Sequence, residues 1–354
     1  MISHLCQSAR YWVSMAVHGL WVVSVASCAL DETPSLTQPR DGKPLNGKVA
    51  VVYSKNYGIH LGGLERLHPF DIRKYRRIYE ALENQGVLSA ADVYVPAELA
   101  PRQIRMVHTA KFVESLKDPA QVAGYLEAPA TKMLPRGVLE NGVLRPFRTA
   151  SGGTLLAARE ALKYGVGINL GGGYHHAKPD HGEGFCIYAD IPIAIRVLRE
   201  EKKIGRVLVV DLDVHQGNGT IVCTKDDPQT YTFSIHQRGI YPIPKEKGDR
   251  DVEIPPGTTD LEYLAILKRE LPKALTKSRP KVVFVVAGCD TLRGDPLASV
   301  FMTPEGVVQR DLYVVDTCLR RKIPVVFTLG GGYSKDAWKT QLKSVKSIIE
   351  RGER

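Results

Sequence analysis

Three stretches of this sequence place residues able to do chemistry at a telling spacing. In Asp211-Leu-Asp-Val-His-Gln-Gly-Asn-Gly, an extended chain alternates its side chains between faces, so Asp211, Asp213 and His215 share one face. A carboxylate and an imidazole two residues apart can hold one metal ion if a further ligand arrives from elsewhere. Asp290, just beyond the apolar run 282–286, is the natural third ligand. A catalytic zinc keeps about three protein ligands and one open position. Two aspartates and a histidine suit Zn²⁺, while ligand type alone leaves Fe²⁺, Co²⁺ and Mn²⁺ open. One aspartate at a strand end would be read as a loop cap; the set is read as a metal site.

The second stretch is Gly171-Gly-Gly-Tyr-His-His. Three glycines let the backbone turn sharply and approach a ligand closely. Imidazoles at that point, His175 and His176, titrate near neutrality and suit proton transfer. The third stretch, Gly330-Gly-Gly-Tyr, puts Tyr333 after another glycine turn. A phenol there can donate a hydrogen bond to a developing oxyanion; its bland alternative is an aromatic ring packed over a glycine.

These groups need rigid elements behind them. Apolar runs at 166–170, 206–212, 230–235, 281–287 and 323–329 end in Gly, His or Asp or run into a glycine turn, and a shorter one spans 49–53. Helix patterns at 190–202, 260–276, 304–321 and 334–350 alternate with the later runs. Fully apolar strands alternating with helices predict an α/β fold: one domain, a mainly parallel sheet, helices on both faces. Ligand sites in such sheets gather beyond the carboxyl ends of the strands, where the polar and glycine-rich residues fall here. Further helices are predicted at 69–85, 101–108, 110–116 and 152–164, the last stopped by Gly165, and a short strand at 92–95. Residues 117–147, rich in Pro and Gly, are predicted to be a long loop.

The chain of 354 residues has ordinary globular composition, 44% hydrophobic and 24% charged, which argues against a disordered or multi-span membrane protein. Its net charge is +10. Residues 1–47 balance Arg10, Arg40 and Lys43 against Asp31, Glu32 and Asp41, so the excess lies in 48–354. No tight basic run with interleaved aromatics appears, so the charge is read as a solvated surface, with no direct nucleic-acid binding. The six cysteines form no CxxC pair; Cys186, Cys289 and Cys318 are read as buried free thiols. Residues 1–30 read as a secretory signal or anchor, and Val25-Ala-Ser-Cys28 resembles a bacterial lipobox. Residues 31–47 read as a linker, and 48–354 as the catalytic domain. Export with membrane tethering through Cys28 is the reading adopted over a cytoplasmic chain. An uncleaved anchor and a downstream start are its alternatives.

Taken together, Leu170-Gly-Gly-Gly-Tyr-His-His, Asp211-Leu-Asp-Val-His-Gln-Gly-Asn-Gly, Ala287-Gly-Cys-Asp-Thr-Leu-Arg-Gly-Asp-Pro and Gly330-Gly-Gly-Tyr resemble the zinc-dependent histone deacetylase family, of the arginase/deacetylase fold. The resemblance covers about 48–350. Leu67-His-Pro-Phe-Asp, Val107-His-Thr and Leu144-Arg-Pro-Phe-Arg-Thr make it most similar to class IV. It implies zinc on Asp213, His215 and Asp290. It implies tandem catalytic histidines, His175 backed by Asp211 and His176 by Asn218, and Tyr333 as the transition-state phenol. It implies a structural potassium ion on Asp211 and Ser234, channel walls from Gly184, Phe185 and Tyr241, and a rim at Leu297. Asn218 replaces the aspartate commoner in the larger branches, and a neutral amide stabilises a protonated imidazole less. Tyr241 stands where Phe is commoner.

The implied activity is hydrolysis of an acyl-lysine amide in protein or peptide, with His176 as general base. A small acylated amine such as an acetylpolyamine is the alternative substrate; Leu297, not an acidic residue, at the rim disfavours it. A catalytically inactive acyl-lysine-binding module is a minor alternative, against which all the expected catalytic groups are present. A binuclear manganese ureohydrolase on the same fold would need more strand-end carboxylates than occur here. The membrane is implied as a partner only through the amino-terminal segment.

Overall fold

Valine-rich runs without polar alternation are satisfied only in strands covered on both faces. The structure, a computed structural model, describes residues 48–353 apart from Gly62. The signal and linker read at 1–47 lie outside the described residues. Eight strands form one sheet: β1 (Lys48–Val52), β2 (Val93–Tyr94), β3 (Gly165–Asn169), β4 (Val207–Asp211), β5 (Thr230–Gln237), β6 (Arg250–Ile254), β7 (Val282–Val286) and β8 (Val325–Thr328). Their order is β2-β1-β3-β8-β7-β4-β5-β6, and every neighbouring pair is parallel. All five side chains of β7 are wholly buried, each worth roughly 1.5–3 kcal/mol relative to exposure.

The helices are α1 (Lys74–Asn84), α2 (Pro101–Ile104), α3 (Ala110–Ser115), α4 (Pro119–Tyr125), α5 (Arg136–Leu139), α6 (Arg145–Tyr164), α7 (Asp190–Glu200), α8 (Asn218–Thr224), α9 (Asp260–Ser278), α10 (Pro304–Arg320) and α11 (Ala337–Glu353). α6 packs on β1, β3 and β8, with α7 beside it and α8 beyond. α11 and α10 pack against strands of the same group without joining α6, so they form the opposite layer with α1 and α9. Among the described residues no helix is long and apolar enough to cross a membrane.

The loop predicted at 117–147 is instead largely helical. Pro119 and Pro129 occupy first-turn positions, where a missing N–H breaks no hydrogen bond. α5 runs through a π-turn (Glu140–Leu144) directly into α6. The wider turn accommodates Asn141-Gly142, and α6 therefore begins at Arg145 rather than 152. Gly152 and Gly153 lie inside α6 because a Cβ would strike the Ala97 carbonyl or the Tyr57 hydroxyl. α1 starts at Lys74, five residues later than predicted; Ile72 is buried ahead of the helix. The sheet edge β6, Arg-Asp-Val-Glu-Ile, and the short α8 were not predicted, since neither carries an apolar run. Cys186, Cys289 and Cys318 are buried free thiols, as read.

Candidate active site

The sheet order assembles the site. β3, β8, β7 and β4 are consecutive neighbours, so the segments leaving their carboxyl ends, 170–176, 329–333, 287–290 and 211–215, meet above one stretch of sheet. This is where a doubly wound sheet leaves its ligand crevice.

Asp213, His215 and Asp290 lie there with one ligand atom each, all within 4.8 Å of one another. All three are buried, at 1%, 6% and 0% exposure. His215 Nδ1 is 3.1 Å from Asp213 Oδ1 and 3.2 Å from Asp290 Oδ2. Burial opposes charge on this imidazole, but hydrogen bonds and charge from the two carboxylates prevail and lift it to about 10. Burial, reinforced by the charge of Asp213, pushes Asp290 up to about 7. Burial also opposes ionisation of Asp213, but His175 and His215 hold it well below the usual carboxylate range. Buried carboxylates converging on one imidazole are normally paired or metal-bound, and this donor set fits a divalent cation. Gly288 and Gly331 admit the cluster: a Cβ on either would collide with Asp213.

His175 Nδ1 lies 2.8 Å from Asp211 Oδ2. Burial opposes its charge, yet Asp211 and Asp213 raise it to about 9. His176 is the converse case. Burial, together with positive charge on His175 and His215, holds it well below its ordinary value. Its Nδ1 is 2.7 Å from Asn218 Oδ1. The tandem pair thus offers one imidazole that favours the charged form and one that favours the neutral form.

Tyr333, Phe185 and His176 line one narrow cleft together with Gly172, Gly173, Gly330 and Gly331. Burial and the charges of Asp213 and Asp290 keep the Tyr333 phenol protonated by raising it far above its usual value. The Phe185 and Tyr333 ring centroids are 5.8 Å apart. Tyr241 sets its ring edge-on to His176 at 4.9 Å. Gly184 has φ +53°, and a Cβ there would meet the His176 ring at 2.5 Å. Leu297 is partly exposed on the loop that Asp295 ties to Tyr333: Asp295 Oδ1 accepts from Leu297 N at 3.1 Å and Oδ2 from Tyr333 N at 2.8 Å. Asp211 and Ser234 face each other in register on β4 and β5.

Several buried polar side chains that hold these loops escape a reading of the sequence. Asp190, at the start of α7, accepts from Gly173 N and Tyr174 N at 2.8 and 2.9 Å. Lys74 donates to the carbonyls of Gly330 and Gly331 at 2.7 and 3.1 Å, and Gln341 to those of Leu329 and Gly331 at 2.7 and 3.2 Å. Arg310, wholly buried on α10, donates to Leu212 O at 3.0 Å and Gly288 O at 2.8 Å, clamping the segments that carry Asp213 and Asp290. The one available signal was a cation, Lys74 or Arg310, amid helix positions that bury.

Residues 68–349 match the histone deacetylase domain. The chain is 36% identical over 308 residues to Histone deacetylase 2 of Arabidopsis thaliana, covering 86% of this chain and 80% of that one. It is 29% identical over 313 residues to the acetoin utilization protein AcuC of Staphylococcus aureus, covering 82% and 78%. In fold it is similar to the crystal structure of the HDA15 HD domain, with TM-score 0.68 at 22% identity over 85% of this chain and 91% of that one.

Proposed function

The chain belongs to the histone deacetylase domain family, and from that premise we propose that it is a zinc-dependent hydrolase of acyl-lysine amides in protein or peptide. The observation that carries the reading is the convergence on one crevice of the Asp213–His215–Asp290 cluster, the neutral His176 and the Tyr333 phenol.

Asp213, His215 and Asp290 would hold the zinc ion, which when bound would supply Lewis acidity toward the scissile carbonyl and the attacking water. His176, neutral in its buried setting, takes the proton of that water and returns it to the departing lysine amine. Tyr333 donates to the oxygen on which charge develops; one such donor is worth about 3 kcal/mol. His175, charged and held by Asp211, contributes fixed positive potential beside that oxygen. Gly184, Phe185 and Tyr241 wall the channel and Leu297 forms its rim. Asp211 and Ser234, opposite each other on adjacent strands, are the side chains we assign to a structural potassium ion.

The test is a panel of lysine peptides, acetyl to myristoyl, run beside acetylpolyamines, with metal analysis that separates zinc from iron and cobalt. Acyl-lysine turnover with one metal ion per chain supports the reading. Turnover of acetylpolyamines alone replaces the substrate class, and two manganese ions per chain replace the chemistry. Export with lipidation at Cys28 is proposed on the sequence of 1–30.

A further inference from the structure

Asn218 stands between two partners that its own motif does not name. Its Oδ1 lies 2.7 Å from His176 Nδ1, and its Nδ2 lies 2.5 Å from Glu183 Oε1. Glu183 comes from the loop ahead of Gly184, 35 residues away in the chain. Lys178 Nζ sits 3.2 Å from the same Glu183 oxygen and His181 Nε2 3.4 Å from the other. The Tyr241 phenol is also beside this carboxylate.

The two ends of an asparagine amide are nearly the same size but opposite in role: one only donates, the other only accepts. Turned one way, Asn218 accepts a hydrogen bond from His176 Nδ1 and leaves the Nε2 lone pair free for a proton. Turned the other way, it donates to Nδ1, and the neutral ring then carries its hydrogen on Nε2, where it cannot act as a base. A carboxylate paired with a lysine accepts and does not donate, so Glu183 selects the amide nitrogen and leaves the amide oxygen for His176.

We propose that Glu183 is a positioning residue that sets the tautomer of His176 by orienting Asn218. Its effect on turnover rests on the hydrolytic reading above; its effect on the imidazole does not. The surrounding contacts explain the placement. Lys178 and His181 hold Glu183 in place, and Gly184, next in the chain, brings its backbone against the His176 ring where a Cβ would not fit.

The test exchanges the amide and the carboxylate. In Glu183→Gln the new side chain can donate or accept, so Asn218 is no longer oriented. Turnover of an acetyl-lysine peptide should fall about tenfold with KM nearly unchanged, as is usual when a group behind a reacting histidine is lost. Asn218→Asp alone sets two carboxylates against each other and should also lower kcat. The double variant, Glu183→Gln with Asn218→Asp, restores a matched pair with the roles reversed. The amide now at position 183 donates to the carboxylate now at position 218, whose other oxygen accepts from His176 Nδ1. Its turnover should therefore exceed that of both single variants. Nitrogen-15 NMR of the labelled imidazole in the full-length zinc-loaded protein gives the second readout: hydrogen on Nδ1 in the wild type, and a mixture with the Nε2–H form in Glu183→Gln. Unaltered kcat and tautomer in Glu183→Gln, or a double variant no better than the worse single one, would overturn the proposal. A wild type that turns over no acyl-lysine peptide but shows the tautomer change would overturn the hydrolytic reading and leave this one standing.

Discussion

Replacing Lys74 by methionine separates what a buried cation costs from what it holds in place. The side chain is 2% exposed, donates to Gly330 O and Gly331 O, and lies 4.4 Å from the centre of the Phe70 ring. Burial drives its ammonium down to about 8 from 10.5, against the partial opposition of nearby acidic groups. A depression of about 2.5 pH units corresponds to roughly 3 kcal/mol of cost for keeping the charge inside at neutral pH. Methionine removes that cost but strands the buried Gly330 carbonyl, at about 1–3 kcal/mol, while Gly331 O keeps Gln341 Nε2 and Cys289 N as donors. The two effects nearly cancel, so Lys74→Met should change stability near neutrality by less than about 2 kcal/mol. Activity should not be spared, because the loop that aims Tyr333 loses an anchor; kcat should fall about 10–100-fold.

The pH dependence carries the sign. Between the folded value near 8 and the unfolded value near 10.5, the unfolded chain binds the extra proton, so raising the pH favours the folded wild type. The methionine variant lacks this gain. The stability difference, wild type minus variant, should therefore grow by about 2.5 kcal/mol from about pH 7 to about pH 10. Urea unfolding of both proteins at the two pH values, with metal content matched, measures it. A difference that does not change with pH would refute the buried-charge reasoning, and unaltered kcat would refute the anchoring role.

Tyr333→Phe should keep metal content and KM while turnover falls about 100-fold or more; near wild-type turnover would show that the ring merely packs. Asp290→Ala should lose zinc and activity together, as should chelation of the wild type, with restoration on adding zinc. A fully metallated, active Asp290→Ala protein would remove Asp290 from the ligand set. If Cys28 is lipidated, the full-length chain expressed in a bacterium should enter the membrane fraction, and Cys28→Ala should abolish processing; a mature chain starting at Met1 in the cytoplasm would end the export reading.

The buried strands were legible because apolar β-branched runs have few other ways to be satisfied, and β3, β4, β5, β7 and β8 appear within two residues or so of where the runs predicted them. The reacting groups were legible for a related reason. Period-two alternation puts Asp211, Asp213 and His215 on one face, and glycine before His175 and Tyr333 marks a backbone bent toward a ligand. Proline at 119 and 129 misled, because a residue that breaks a helix interior also begins a helix, and which role it takes depends on what packs around it. Strand order was decided only in three dimensions. β7 and β8, late in the chain, insert between β3 and β4, and that insertion carries Asp290 and Tyr333 to Asp213 and His176. The anchors were equally hidden. Lys74, Arg310 and Gln341 act on backbone carbonyls, and a carbonyl is the same at every residue. Nothing in the order of side chains says which helix will reach it until the sheet has brought the loops together.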